Sequence, residues 1–407
     1  MSKSPSTLPL GVRSTDMLTV TQFATVFPIN AINETLEKHG RGTIRVRHLP
    51  NEFVVYFVMM LALFRDCSHR EVYRCVVDAL DRLRGSRTDE PHIPTSAALS
   101  LARDRVSDEP LGDLFHRFAV PIATRQTPGA FFGKWRKVAI DGCLIDVEDS
   151  EKNREFFGSS TNQSNTRARS PQARFVSLME IGTHVFFGAA IGSYSDGEIG
   201  LAKEVVRSIT PDMICLADRN FFSFNLYKQI SEKGAALLFR IQRGMAFQPE
   251  KQLDDGSYIV QLFASDDRKK EKGMMARLFQ YKVTGSANKE IFYMLTNILD
   301  PADADAQSLS TLYQERWEFE TALDELKTHL NAKFLVLRSK TPSLAKQELW
   351  GFFMAHYIVR KTMHEAAIQG NLDPDRLSFI HSVRVIKRTL AKSSAFPPEE
   401  DEDFDAE

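Results

Sequence analysis

Three acidic side chains stand where metal-assisted chemistry would need them. Asp141 closes the apolar run of VAIDG and Asp218 that of ICLADRN, so each carboxylate is expected where a strand leaves its sheet. Mg²⁺ takes oxygen ligands, and two or three carboxylates converging at a sheet edge can hold a metal pair. An acid at a strand end also commonly caps a helix or closes a turn, so neither residue identifies a site alone. A more specific pattern lies in LYQERWEFETALDELKTHL, where Tyr313, Arg316, Glu320 and Lys327 stand at offsets of 0, 3, 7 and 14. At about 100° per helical residue, all four fall within a sector of roughly 60°. A salt-bridged solvent face accounts for Arg316 and Glu320 at i, i+4 but leaves the tyrosine unexplained. Asp324 lies on the same stripe and is the rival carboxylate.

Those residues need a sheet and a helix to hold them. Residues 20–118 carry helical periodicity, in FPINAINETLEKHG, FVVYFVMMLALF, REVYRCVVDALDRL and SAALSLARDRV, the last with Thr95 or Ser96 as its N-cap. Strand character begins at Lys137, and a polar stretch from Asp149 to Pro171 reads as a surface loop. ARFVSLMEIG and THVFFGAAIG form a hairpin turning near Gly182; then LAKEVVRSI is helical, MICLAD a buried strand, FSFNLYKQISEKG a helix and AALLFRI a strand. Three strands followed by alternating helices and strands require a mixed α/β sheet. From Gly244 to Asp300 the alternation breaks into β runs, YIVQLFA, MARLFQYKV and IFYMLTNIL, expected as an inserted β subdomain. Helical periodicity returns at Ser308, with a new helix from Pro342 to Gly370.

Composition narrows the class. At 407 residues, 43% apolar and 26% charged, the chain is globular and long enough for two or three structural units. The longest apolar run, Phe53 to Phe64, falls short of the roughly 20 residues a membrane span needs and is closed by Glu52 and Arg65, so a buried core helix is expected. The start carries no basic and apolar signal, which makes a cytoplasmic site the expectation. Cys67, Cys75, Cys143 and Cys215 are scattered without a CxxC pair, against a zinc ribbon or disulfide framework and in favour of small buried residues for most of them. The net charge of −1 hides an asymmetry: EEDEDFDAE at the end carries seven acids, while residues 331–394 hold eleven Lys or Arg against four Asp or Glu. That basic stretch suits DNA phosphate or merely a solvated helix face.

The spacing Tyr-x2-Arg-x3-Glu-x6-Lys resembles the C-terminal signature of insertion-sequence 4 (IS4) family transposases, whose catalytic acids form a DDE triad. IDG at 140–142 is similar to the family's first-Asp motif, LADRNFFS at 216–223 to its second, and LTNILDP at 295–301 to the approach to the third. LRSKTP at 337–342, QELWG at 347–351 and LPNEFVVYFVMMLALFRDCSHREVY extend the likeness over roughly residues 20–390. The resemblance implies an α/β fold: a ribonuclease-H-like mixed-sheet catalytic domain with an inserted β subdomain, flanked by helical N- and C-terminal regions. The divisions expected are a flexible start at 1–19, a helical DNA-binding domain at 20–130, a catalytic domain at 131–243 and 301–345, the β insertion at 244–300, a helical segment for dimerisation at 346–394 and an acidic tail at 395–407.

It further implies that Asp141, Asp218 and Glu320 are catalytic and hold two Mg²⁺ or Mn²⁺ ions about 3.5–4 Å apart. Tyr313, Arg316 and Lys327 are then expected on DNA phosphates. The expected partners are double-stranded DNA, at terminal inverted repeats and target, and a second copy of the chain, in the bacterial cytoplasm at the nucleoid and without a membrane. The implied reaction is cut-and-paste transposition through a hairpin at each transposon end and strand transfer. The family holds a flipped base against an aromatic of the insertion, often tryptophan; with tryptophan only at 135, 317 and 350, Phe292 or Tyr293 is left for that task, a core position being the alternative. The rival functions are a ribonuclease-H-like nuclease that only hydrolyses, and a silent transposase-derived DNA-binding protein.

Overall fold

The computed structural model describes residues 23–43, 49–74, 76, 94–159, 170–245, 247–267, 269–271, 273–282, 291–330 and 335–395. The expected flexible start at 1–19, most of the helix at 70–83 and the acidic tail beyond Ala395 lie outside them.

Among the described residues eleven strands form one sheet. β1 (Phe131–Phe132) pairs with the start of β2 (Trp135–Val147), which is the long central element. β3 (Gln172–Glu180) and β4 (Phe186–Ser193) follow antiparallel, while β5 (Met213–Ala217) and β6 (Ala236–Ile241) run parallel to β2 on its other side. The MICLA run of β5 is buried at every position, as a parallel strand covered on both faces must be. The β3–β4 turn is tight against β1: a Cβ on Gly182 would lie 2.5 Å from the Ala130 Cα, so only glycine fits.

The inserted strands β7 (Pro249–Gln252), β8 (Tyr258–Leu262), β9 (Met274–Lys282) and β10 (Ile291–Thr296) are antiparallel and do not form a sheet of their own. β10 pairs with β6, so the order runs β4-β3-β2-β5-β6-β10-β9-β8-β7 and the insertion extends the central sheet. β11 (Val336–Leu337) joins β2 in parallel at Asp146 and Val147. The polar stretch expected as a loop contains a helix, Glu151–Phe157, because Ser150 caps it by accepting from the Asn153 N–H at 3.2 Å.

Two apolar cores cover the two faces of the sheet. On one face lie the helices Glu198–Val205 and Phe224–Glu232. On the other, the N-terminal helices Ile29–Lys38, Asn51–Leu63, Ser96–Val106 and Glu109–Phe118 share one core with the long helix Pro342–Gln369. Every residue of Asn51–Leu63 except Leu61 is buried, as the apolar run requires. Its backbone approaches the long helix closely at Gly351, where a Cβ would lie 2.8 Å from the Val58 carbonyl oxygen. Thr95 caps Ser96–Val106, accepting from the Ala98 N–H at 3.2 Å. Among the described residues no helix is long and apolar enough to cross a membrane.

Candidate active site

β5 stops at Ala217, whereas β2 continues to Val147 with β3 along its far side. β2 and β5 are paired as far as Ile140 and Ala217, and β11 rejoins β2 only at Asp146. From Asp141 to Ile145 that edge of β2 therefore has no strand beside it among the described residues. Asp141 is the first residue of this open edge and stands in mid-strand, which corrects the expectation that it ends its strand. The apolar alternation of Cys143, Ile145 and Val147 carries β2 onward. Asp218 does leave its strand: it follows β5 directly and precedes a 3₁₀ turn at Arg219–Phe221.

The third contribution comes from across the crevice. Residues 306–329 form one helical rod with two departures from α geometry, a 3₁₀ turn at Glu315–Trp317 and a π turn at Glu325–His329. The stripe expected on a uniform α-helix is thus tightened before Glu320 and loosened after it, and such irregular turns recur at functional sites. Buried Lys137 of β2 binds Glu315 and ties the 3₁₀ turn to the sheet.

Arg316 then reaches the acids. Its Nη1 donates to Asp141 Oδ2 at 2.9 Å and its Nη2 to Glu320 Oε1 at 3.2 Å. The Tyr313 hydroxyl donates to Asp218 Oδ1 at 3.5 Å, and Arg240 lies 3.9 Å from the same oxygen. Tyr313 is buried, which limits its reach to DNA and leaves Asp218 as its partner. Lys327 Nζ donates to the Cys143 thiol at 3.3 Å, one pleat along β2 from Asp141. Asp324 instead pairs with His329 at 2.8 Å on the exposed surface.

The electrostatics favour a further cation. Asp141 is 22% exposed and its pKa is raised from 3.8 to about 6, chiefly by burial; the Gly142 N–H and Arg316 pull it down, while the charges of Asp218 and Glu198 push it up. Glu198, held by Arg174 at 2.9 Å, is a fourth carboxylate whose place no local motif marks. Arg240, in LLFRI, is likewise marked by no local motif; its guanidinium carbon sits 3.7 Å over the Phe292 ring, so that face is covered in this state. With Arg219, Arg243 and Tyr293 these residues line a basic cleft of about 340 Å³ beside Asp218. Cys67 is exposed and Cys143 half-buried, contrary to the expectation of burial; only Cys215 is fully buried among the three described free cysteines.

A sheet in the order β4-β3-β2-β5-β6, its first three strands antiparallel and its last two parallel, with acids where β2 and β5 part, defines a ribonuclease-H-like nucleic-acid enzyme. Residues 134–358, more than half of the chain, match the family model of the transposase DDE domain, and residues 17–116 that of the insertion element 4 transposase N-terminal region. The transposase InsG for insertion sequence element IS4 of Escherichia coli (strain K12) is 29% identical over 365 residues, covering 88% of this chain and 80% of that protein. The putative transposase InsZ of the same strain is 26% identical over 214 residues, 52% of this chain and 68% of that protein. A solved piggyBac transposase synaptic complex with hairpin DNA superposes over 92% of this chain and 80% of that chain at 13% identity and a TM-score of 0.47, a likeness that carries no inference by itself. The chain belongs to the IS4 family of DDE transposases.

A DDE domain implies dependence on a divalent metal ion. Among the described residues no three potential ligands close around one point, and Arg316 bridges Asp141 and Glu320. The donor set nevertheless fits such an ion: the converging groups are carboxylates, and beside burial the charges of Asp218 and Glu198 push the Asp141 pKa up.

Proposed function

We propose that the chain excises an insertion sequence at its terminal inverted repeats and joins it to target DNA, with Asp141, Asp218 and Glu320 holding two Mg²⁺ or Mn²⁺ ions and a second copy of the chain completing the assembly. The bridging of Asp141 and Glu320 by Arg316 at the open edge of β2, with Asp218 near enough for its charge to push the Asp141 pKa up, is the observation that supports this reading. When bound, the ions would supply charge stabilisation and an activated nucleophile for phosphoryl transfer.

The chain's own residues divide the remaining work. Arg316 is the stand-in counter-ion; with Asp141 and Glu320 holding a metal ion, its planar fork would be free for a phosphate. Lys327 offers a point charge further along the crevice. Tyr313 orients Asp218. Arg219 and Arg243 line the cleft through which a DNA strand would leave the acids, and Phe292 can stack on a flipped base only if Arg240 swings off its ring.

The test is incubation of the purified chain with linear duplex carrying the inverted repeats that flank its gene, in Mg²⁺. Breaks at the repeat ends, hairpin-ended products on denaturing gels and strand-transfer products are expected, all lost in Asp218→Asn. Cleavage without strand transfer would mark a nuclease, and DNA binding without cleavage a silent derivative; either outcome overturns the proposal.

A further inference from the structure

The rod that carries Glu320 is held from behind by a buried ionic cluster. Glu325, at the start of the π turn, is buried and faces away from the crevice, about 140° around the helix from Glu320. Arg360 of the long helix donates to it through Nε at 2.8 Å and again through Nη2, and His356 Nε2 lies 3.3 Å from its Oε2. Arg360 Nη2 also donates to His184 Nδ1 at 2.6 Å. His184 sits in the β3–β4 turn with φ of 58°, a left-handed conformation seldom adopted by side-chain-bearing residues. Its other ring nitrogen is 3.2 Å from Glu318, which stands about 160° from Glu320. Both the turn before Glu320 and the turn after it are thus pinned, on the face opposite the site, to one cluster.

Apolar packing could fasten this helix without fixing its rotation. Phe319, Ala322 and Leu326 already bury its inner face, and Phe319 meets Phe186 edge-on at 5.5 Å. Such contacts are non-directional, whereas a buried carboxylate with charged donors tolerates only one geometry. A buried ion pair is weak evidence for stability, since apolar replacement often matches it; its better-attested use is to specify register. Burial alone would raise the pKa of Glu325, but the neighbouring His184, the bond from His356 and the charge of Arg360 hold it far below the usual carboxylate range.

We propose that Glu325, through Arg360 and His184, is the positioning residue that sets the rotation of the Glu320 turn against Asp141 and Asp218. The inference rests on the reading of Glu320 as the third catalytic acid.

The test measures, on the full chain, cleavage of the terminal-repeat duplex against Mg²⁺ concentration, duplex affinity by gel shift, and Tm. Glu325→Asp keeps the charge but shortens the reach. It should slow cleavage about 10- to 100-fold, the scale expected for an ångström of misplacement, and raise the Mg²⁺ needed for half-maximal rate, while duplex affinity stays within about twofold. The double variant Glu325→Gln/Arg360→Met removes both charges; its Tm should return to near wild type while cleavage stays depressed. Recovery of cleavage in step with Tm would reduce Glu325 to a structural ion pair and overturn the proposal. Glu320→Gln, run alongside, reports on the underlying reading: if it cleaves normally, the proposal falls with that reading. If it is dead while Glu325→Asp behaves as wild type, only the proposal falls.

Discussion

Asp141→Asn should make the metal-free protein more stable while abolishing cleavage. Burial holds the Asp141 pKa at about 6, against 3.8 for an unperturbed aspartate. A folded-state carboxylate pKa above its unfolded value means that the folded protein binds the proton more tightly, so ionised Asp141 opposes folding at neutral and alkaline pH. The displacement of about 2 units corresponds to roughly 3 kcal/mol at pH 8. An asparagine amide keeps the shape and one acceptor but carries no charge. Against the gain stands the weakening of the Arg316 bond, worth about 1.5–3 kcal/mol at most when one partner is charged. A net stabilisation of up to about 1.5 kcal/mol is expected at pH 8. Unfolding entropy scales with chain length, so each kcal/mol moves Tm by about 1 °C here. Thermal unfolding in EDTA should therefore place the variant up to about 2 °C above wild type at pH 8. Acidification to pH 5 protonates Asp141 in the wild type only, which should narrow the gap by about 1.4 kcal/mol. Added Mg²⁺ should raise the Tm of the wild type and leave that of the variant nearly unmoved. A variant less stable than wild type at pH 8 in EDTA, or one that still cuts, would refute the claim that Asp141 is a desolvated metal ligand.

Glu320→Gln should bind terminal-repeat DNA and fail to cut, whereas Asp324→Asn, which loses only an exposed pair with His329, should cut normally; calorimetric Mg²⁺ binding that follows Asp324 instead would move the third ligand one turn along. Arg316→Ala and Lys327→Ala should weaken the DNA complex by gel shift without lowering metal affinity, and Arg316→Ala should raise it, because the competing cation has gone. Gly351→Ala should lower stability by about 1–3 kcal/mol in chemical denaturation, since the new methyl group meets the Val58 carbonyl; an unchanged midpoint would mean that the two helices separate freely. Truncation after Pro398, which removes the seven-acid tail, should tighten non-specific DNA binding at low salt and lose that effect at high salt.

The elements were legible wherever local pattern decides them. MICLAD announced β5 and Asp218 because a strand buried on both faces has nowhere to keep a polar side chain until it ends. Pro342 and Gly370 bracketed the long helix as observed, by the usual chemistry of helix ends. What could not be read was where one strand outlasts its neighbour. VAIDG looks like a strand end, yet β2 runs on to Val147; what ends beside Asp141 is the pairing with β5, seventy-odd residues away, and no window around Asp141 contains that fact.

The site divides along the same line. Tyr313, Arg316 and Glu320 were found together because a helix maps sequence offset onto angle, and the 3₁₀ turn at Glu315–Trp317 distorts that map too little to scatter them. The residues that hold them were missed. His356 and Arg360 stand four apart on the buried face of FFMAHYIVRK, an odd place for two bases, and that oddity was the available signal. It could not name Glu325 or His184, since charges buried in separate elements identify one another only through the fold. Local rules thus reveal the residues that line the crevice. The buried network that aims them is non-local, because orienting a helix requires contacts from elements other than the helix itself.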